Sequence, residues 1–136
     1  MPISETENPE LYTAALTVWR EARGEPYEGK QGVAQVIYNR MIDGDRRWPR
    51  TASRVCKQPL QFSCWNENDP NSHKYPQERD PSWDDARAAV TDIFETRVTD
   101  VTHGANCYYE RHISAPSWAA PEKRTVAIGN HIFFRL

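Results

Sequence analysis

The sequence has no long apolar run, and its first residues lack the features of an export signal. Residues 1–10 are polar and acidic, without the apolar stretch that a signal peptide needs. No later segment approaches the length of a membrane-spanning helix. We therefore predict a soluble product that is made in the cytoplasm and reaches an external target only after release.

Cysteine is scarce, and positive charge is not in excess. The three cysteines, Cys56, Cys64 and Cys107, cannot all pair, so free thiols are expected, although export would permit one bridge. The 136 residues carry a net charge of −2, which argues against a general nucleic-acid binder. The length predicts a single domain, residues 1–136, with a core of its own.

Several signatures of catalysis are also missing. The sequence contains no Gly-x-Ser-x-Gly elbow and no glycine-rich loop for phosphate. His103, His112 and His131 show no recognised metal-ligand spacing. Cys107 lies near them in the chain but does not complete such a pattern. The sequence therefore predicts neither a metal site nor a cofactor.

Aromatic residues are well supplied. Five tryptophans and six tyrosines occur in this short chain. Exposed Trp and Tyr rings suit flat ligands such as carbohydrates, although most rings in a small domain pack in its core or at its rim. The composition therefore permits a sugar-binding site without identifying one.

A predicted first helix, and the break after it, organise the chain. Asn8 suits the N-cap, and Pro9 suits the first position of a helix that runs to about Arg23. Gly24 suits a left-handed residue past the helix end, and Pro26 makes the break firm. Apolar residues recur at helical spacing, at Leu11, Ala15, Val18, Trp19 and Ala22.

Glu21 falls in the last turn of this helix, at the edge of the apolar stripe. Partial burial and the negative end of the helix dipole would both raise the pKa of its carboxyl. A carboxylic acid that stays protonated near neutral pH can act as a general acid. The alternative is a solvated glutamate paired with Arg20 or Arg23, and the residues by themselves favour this alternative.

The rest of the chain predicts an α+β domain, mostly helical with short β strands. A flexible tail at 1–8 precedes the first helix. The later elements are a second helix at 29–42, a short helix capped by Thr51, a brief strand at 58–65, a long surface loop at 66–81, a third main helix from Asp80 to about Val98, a strand at 107–110 and a closing strand with one turn at 127–135.

A second carboxyl for Glu21 does not stand out. Glycosidases commonly use two carboxyls that flank the scissile bond. The acids considered were Glu25, Glu28, Asp43, Asp45, Glu67 and Asp69, and the sequence places none of them beside Glu21. A single acid suffices where the substrate supplies its own nucleophile.

Four blocks of the sequence resemble, in order, the SleB/CwlJ-type cell-wall hydrolases, which include spore-cortex-lytic enzymes and related phage lysins. The blocks are 19–40, 58–65, 100–109 and 128–135. The resemblance implies a small lysozyme-like domain that acts on peptidoglycan glycan strands. It implies a lytic transglycosylase-type reaction at the MurNAc–GlcNAc β-1,4 bond, with Glu21 as the catalytic acid. It thereby reverses the preference for a solvated Glu21.

The family's spore enzymes carry a leader and a separate peptidoglycan-binding domain, and we expect neither in this protein. This departure favours a phage endolysin that a holin releases to the host wall. His103 stands where the family more usually has glycine, and Val101 where it often has proline. Both are read as turn variation. Nothing in the sequence suggests an obligate dimer, so a monomer is predicted.

Six further residues are predicted to serve the site that the resemblance implies. Gln61, Ser63 and Tyr109 are assigned hydrogen bonds to the sugar, with packing or turn structure as the alternative. Trp65 is predicted to stack on a sugar face, and Asn130 and His131 are predicted to support the site from behind. Packing or turn structure is the alternative for these three residues as well.

Asn39 is interpreted differently, as a hydrogen-bond anchor of the second helix and not as a substrate contact. Two functional alternatives stay open at this point. One is lysozyme-type hydrolysis of the same bond, and the other is a non-catalytic module that binds the cell wall.

Overall fold

Four α-helices and a three-stranded sheet form the structure, a computed structural model that describes residues 3–59 and 61–136. The helices are α1 (Pro9–Ala22), α2 (Tyr27–Met41), α3 (Ala52–Lys57) and α4 (Pro81–Thr91). The strands are β1 (Cys107–Glu110), β2 (Arg124–Ile128) and β3 (His131–Phe134). Short 3-10 turns lie at Ser63–Trp65, Pro70–His73 and Pro121–Lys123. The predicted α+β class is confirmed.

Helix α1 lies at the centre of the domain and packs against α2, α3 and α4. Its residues from Thr13 to Arg20 are all buried. The predicted start is confirmed, because Asn8 accepts a hydrogen bond from the amide of Leu11 at 3.4 Å and Pro9 is the first helical residue. A helix surrounded on several sides holds its last turn firmly, and Glu21 is in that turn.

The break after α1 does not use a left-handed glycine. Gly24 is not among the residues with positive φ, so this part of the prediction is wrong. Arg23 keeps right-handed helical angles, and the amide of Glu25 donates to the carbonyl of Ala22 at 2.9 Å. An ordinary turn therefore ends the helix, and Pro26 lies directly before α2.

The sheet has the strand order β1-β3-β2, and both pairings are antiparallel. The closing strand with one turn is therefore confirmed as β2 and β3, although β2 begins earlier, at Arg124. Gly129 adopts φ +57° in the connecting turn. The carboxylate of Glu25 accepts hydrogen bonds from the backbone amide and side-chain amide of Asn130, at 2.7 and 3.0 Å. This contact fastens the sheet to the break between α1 and α2.

Helix α2 approaches the sheet closely at Gly32. A Cβ at this position would lie 2.6 Å from the ring of Phe133, which is fully buried in β3. Glycine is therefore needed here for space.

Replacing Gly32 by alanine is expected to lower the free energy of unfolding by about 1–3 kcal/mol, because the buried ring cannot move away without disturbing the core. Urea denaturation measures this difference. Gly44→Ala is the matched control, since a Cβ there meets no atom within 4 Å. Equal stability of Gly32→Ala and Gly44→Ala would contradict this account of the helix–sheet contact.

The segment at 58–65 is not a strand, which corrects the prediction. Its last part forms a 3-10 turn, Ser63–Trp65, and the amide of Trp65 donates to the carbonyl of Phe62. The alternation of polar and apolar residues was misleading, because the backbone bonds locally instead of to a neighbouring strand. Leu60 lies outside the described residues.

The third main helix and the turn before β1 follow the prediction with small changes. Asp80 caps α4 by accepting from the amide of Ser82 at 2.8 Å. The helix continues as a π-helical turn, Asp92–Thr96, and ends at the left-handed Arg97. In the next turn, His103 also has a positive φ, +55°, the conformation that glycine adopts most readily.

Asn39 anchors α2 to this turn, as predicted. Its side-chain amide donates to Asp100 at 3.1 Å and to the carbonyl of Ala105 at 2.8 Å. All three cysteines are buried with free thiols. Ile3, within the segment predicted as a tail, is buried against the core. In the described part of the chain, no helix is both long and apolar enough to cross a bilayer.

Candidate active site

A cavity of about 600 Å³ opens beside the last turn of α1. Its volume falls within the range of small-molecule sites. We call it the Glu21 cavity. Its walls come from α1, α2, the 3-10 segments, β1, the loop after β1, and β3, and they are formed by Arg20, Glu21, Arg40, Gln61, Phe62, Ser63, Asp69, Asn71, Tyr108, Tyr109, Glu110, Ile113, Pro116, Trp118 and His131.

Glu21 is partly buried at the wall of this cavity. Burial raises the pKa of its carboxyl, and the negative charge of Asp69 acts in the same direction. Hydrogen bonds from the Tyr108 hydroxyl and from the side chain and backbone of Cys64 favour the ionised carboxyl and lower this pKa. Burial has the larger effect, so the pKa of Glu21 is raised overall. The carboxyl therefore holds its proton to a higher pH than an exposed glutamate does.

Tyr108 holds the Glu21 carboxyl in place. Its hydroxyl donates to Oε1 of Glu21 at 2.5 Å. Burial and the nearby carboxylate raise the pKa of Tyr108, so the hydroxyl keeps its proton and remains a donor. The ring is fixed by tilted contacts with His131 and Phe133, whose centroids lie 4.7 and 5.6 Å away. A donor with little freedom therefore orients the carboxyl.

The neighbouring arginines do not pair with Glu21. The Nε of Arg20 donates to the carbonyl of Lys74 at 3.1 Å, and Nη2 of Arg23 donates to Asn71 at 2.8 Å. Within residues 3–59 and 61–136, the only ion pairs are Arg47–Asp43 and Arg87–Asp84. The alternative of a solvated, arginine-paired Glu21 is therefore wrong.

Four of the six predicted supporting residues line the cavity together with Glu21. They are Gln61, Ser63, Tyr109 and His131. His131 is only 1 % exposed, and burial lowers its pKa, so its ring is neutral near pH 7. Tyr109 stacks on Phe134, with ring centroids 5.7 Å apart. Their roles toward a ligand remain proposals.

Two of the six lie elsewhere. Trp65 is not in the cavity wall: its Nε1 donates to Thr17 at 2.8 Å, and the cations of Arg20 and Lys57 cover its ring at 4.6 and 4.9 Å. The structure therefore does not place Trp65 for sugar stacking in the Glu21 cavity. Asn130 is exposed and outside the wall, where it binds Glu25.

The residue that hydrogen-bonds the Glu21 carboxyl, Tyr108, was not predicted as a site residue. Tyr108 was recognised only as part of a matching block, and Tyr109 was chosen instead. Neighbouring strand residues point to opposite faces, and no local signal says which tyrosine faces α1. Arg40, brought to the cavity by α2, and Glu110 were also missed. Asp69, weighed as a second acid, does line the cavity, and its carboxylate accepts from the amide of Asn71 at 2.8 Å.

This arrangement can deliver one proton to a ligand. An oriented carboxyl with a raised pKa faces a cavity that has amide, hydroxyl and aromatic groups for an uncharged polar molecule. Among the described residues, no group of three or more His, Cys, Asp or Glu side chains could hold a metal ion.

The sequence matches a protein-family model described as cell wall hydrolase over residues 24–134. The chain belongs to the cell wall hydrolase family. The matched range begins just after Glu21, and the relatives below extend the similarity to almost the whole chain.

Two curated relatives are spore cortex-lytic enzymes. The enzyme of Halalkalibacterium halodurans is 32 % identical over 98 % of this chain and 36 % of its own length. The enzyme of Bacillus subtilis is 31 % identical over 93 % of this chain and 37 % of its own length. The chain thus spans little more than a third of the length of these relatives.

Two solved structures share the fold. One is the catalytic domain of the Bacillus cereus SleB protein, with a TM-score of 0.75 and 30 % identity over 99 % of this chain and 95 % of that one. The other is the catalytic domain of the germination-specific lytic transglycosylase SleB from Bacillus anthracis. Its TM-score is also 0.75, with 30 % identity over 99 % of this chain and all of that one. The predicted SleB-type fold is therefore confirmed.

Proposed function

We propose that this chain cleaves the glycan strands of peptidoglycan at the MurNAc–GlcNAc β-1,4 bond, as a lytic transglycosylase with Glu21 as its single acid and base. The observation that carries this proposal is the Glu21 carboxyl, whose pKa is raised by burial, oriented by Tyr108 and facing a cavity of ligand size. The SleB-type fold and the spore cortex-lytic relatives support the choice of peptidoglycan as substrate.

In the proposed first step, the Glu21 carboxyl gives its proton to the glycosidic oxygen as the bond to C1 of MurNAc breaks. The positive charge that develops at C1 is stabilised by the sugar's own 2-acetamido group or by nearby dipoles. Tyr108 then donates to the new carboxylate, which favours the charged form that this step creates.

In the second step, the Glu21 carboxylate removes the proton from the 6-hydroxyl of MurNAc while that oxygen bonds to C1. This closes a 1,6-anhydro ring and returns Glu21 to its protonated state. No water is consumed, and one carboxyl serves both steps. Gln61, Ser63 and Tyr109 are proposed to hydrogen-bond the sugars, and His131 supports Tyr108 through ring contact.

Mass spectrometry of the released fragments tests the reaction type. We expect muropeptides that end in anhydro-MurNAc, each lighter by one water than the product of hydrolysis. Digestion of the same peptidoglycan by a hydrolysing muramidase provides the heavier reference. Fragments with the hydrolytic mass would overturn the transglycosylase step and favour lysozyme-type cleavage. Binding to sacculi without any release of fragments would favour a non-catalytic wall-binding module.

The proposal for where the protein acts in the cell rests on its relatives. The chain acts on the cell wall, consistent with the cortex-lytic relatives. Holin-dependent release as a phage endolysin, a monomeric state and the single-domain boundary at 1–136 stay predictions. Equilibrium sedimentation tests the monomer, and lysis of cells that coexpress a holin tests the route of release.

A further inference from the structure

A second concave surface lies next to the Glu21 cavity. It has a volume of about 640 Å³ and is lined mainly by Trp19, Arg23, Lys74, Tyr75, Gln77 and Arg79. We call it the Arg79 groove. Three of these side chains are cations, in a chain whose net charge is −2. Positive charge is therefore concentrated on this part of the surface.

The protein neutralises only part of the positive charge of the groove. Asp80 is the one acid in the groove lining among the described residues, and it is used internally. Its carboxylate accepts from Nε1 of Trp19 at 2.9 Å and from the amide of Ser82 at 2.8 Å. Neither ion pair of the described chain involves a groove residue. The groove thus presents cations that have no carboxylate partner.

Guanidinium groups at the border of the groove also have unused donors. Arg20 is only 4 % exposed, and its two Nη atoms are buried without a hydrogen-bond partner in the described structure. Nη1 of Arg23 is likewise buried without a hydrogen-bond partner. Most buried donors are satisfied in folded proteins, and charged ones are costly to leave unpaired. The Arg20 guanidinium lies against the rings of Trp65 and Tyr75, 4.6 and 4.9 Å from their centroids, so the exposed cations that a ligand can reach are those of Lys74 and Arg79.

The groove and the Glu21 cavity share a wall. Arg20 lines the cavity, and its Nε donates to the carbonyl of Lys74, which lines the groove. Asn71 lines the cavity and accepts from Nη2 of Arg23 in the groove. The Glu21 cavity and the Arg79 groove therefore adjoin each other across these hydrogen-bonded residues.

We propose that the Arg79 groove binds the carboxylates of the peptide stems of peptidoglycan. The sugar backbone of that polymer is uncharged, whereas its peptide stems carry free carboxylates and branch from the MurNAc unit next to the scissile bond. Tyr75, which is 63 % exposed, adds aromatic surface for the alanine methyl groups of a stem. This inference rests on the proposed function, because it takes the same polymer as the ligand.

The double variant Lys74→Gln/Arg79→Gln tests the groove. Both side chains are exposed, and the bond from Arg20 uses the Lys74 carbonyl, which the variant keeps. The substrates are soluble strands freed of crosslinks by an endopeptidase and of phosphate polymers by hydrofluoric acid, with half then stripped of stems by an amidase. We expect the ratio of cleavage rates, stem-bearing to stem-free, to fall by about five- to tenfold.

Arg54→Gln/Lys123→Gln is the matched control, since it removes the same charge from exposed positions outside both the groove and the cavity. The control should keep the wild-type ratio. An unchanged ratio in the groove variant, or an equal loss on both substrates, would overturn the proposal. A loss seen only on walls that retain phosphate polymers would also overturn it, because phosphate would then be the anion bound.

A binding measurement separates this proposal from the proposed function. In a Glu21→Gln background, titration with the same two substrates reports affinity without cleavage. We expect the groove variant to weaken binding of stem-bearing strands by about five- to tenfold and to leave the affinity for stem-free strands within twofold. If wild type cleaves neither substrate, the catalytic proposal fails, but this comparison still decides the role of the groove.

Discussion

Glu21→Gln is expected to lower the rate of fragment release from peptidoglycan by about two to four orders of magnitude. Glutamine has nearly the same shape but carries no acidic proton, so it cannot protonate the glycosidic oxygen. Its amide oxygen can still accept the hydrogen bond that Tyr108 donates to Glu21. The fold is therefore expected to remain, with a melting temperature close to that of wild type.

The matched control is Glu28→Gln, which removes one carboxylate from an exposed position in the first turn of α2. Turbidity of a peptidoglycan suspension and chromatography of the soluble fragments measure both variants. The control should clear the suspension at the wild-type rate. A Glu21→Gln protein that does the same would remove Glu21 from the mechanism, and the cavity would then need another proton donor.

Tyr108→Phe is expected to change both the rate and its dependence on pH. The phenol holds one oxygen of Glu21 at 2.5 Å, so its loss frees the carboxyl and lowers the maximal rate by about ten- to a hundredfold. The same hydrogen bond favours the ionised carboxyl and thereby lowers the pKa of Glu21. Removing it should raise that pKa further.

The sign of the pH effect follows from the protonated form being the active one. The rate falls as pH rises through the pKa of Glu21, so a higher pKa moves this decline to higher pH. A profile of rate against pH for wild type and Tyr108→Phe measures the displacement. Tyr38→Phe is the control, since it removes a phenol outside the cavity wall and should leave the profile unchanged. A decline at the same pH in all three proteins would contradict the role given to Tyr108.

The directions of several site side chains depend on partners that are distant in sequence. Trp65 was predicted to stack on a sugar face, but its indole donates to Thr17 instead, from a 3-10 turn. Asn130 was predicted to support the site from behind; it lies outside the cavity wall and binds Glu25, and its role toward the site stays a prediction. In each case the neighbours in the chain were read correctly, whereas the direction of the side chain depended on a partner distant in sequence.

Local interactions made the helices readable. Asn8, Thr51 and Asp80 each accept a hydrogen bond from an amide two or three residues ahead, which is why capping residues mark helix starts without any knowledge of the fold. The sequence by itself therefore determined the helical framework, the position of Glu21 in the last turn of α1 and, through its motif blocks, the SleB-type family.

The environment of Glu21 was decided only by the tertiary structure. Tyr108 lies 87 residues from Glu21 along the chain, and the hydrogen bonds of Arg20 and Arg23 between the cavity and the groove span 54 and 48 residues. Such pairings depend on how helices and sheet pack, because desolvation and hydrogen bonding act between groups that meet only in space. A helix cap is settled within a single turn, whereas the pKa of a buried acid depends on every element that surrounds it.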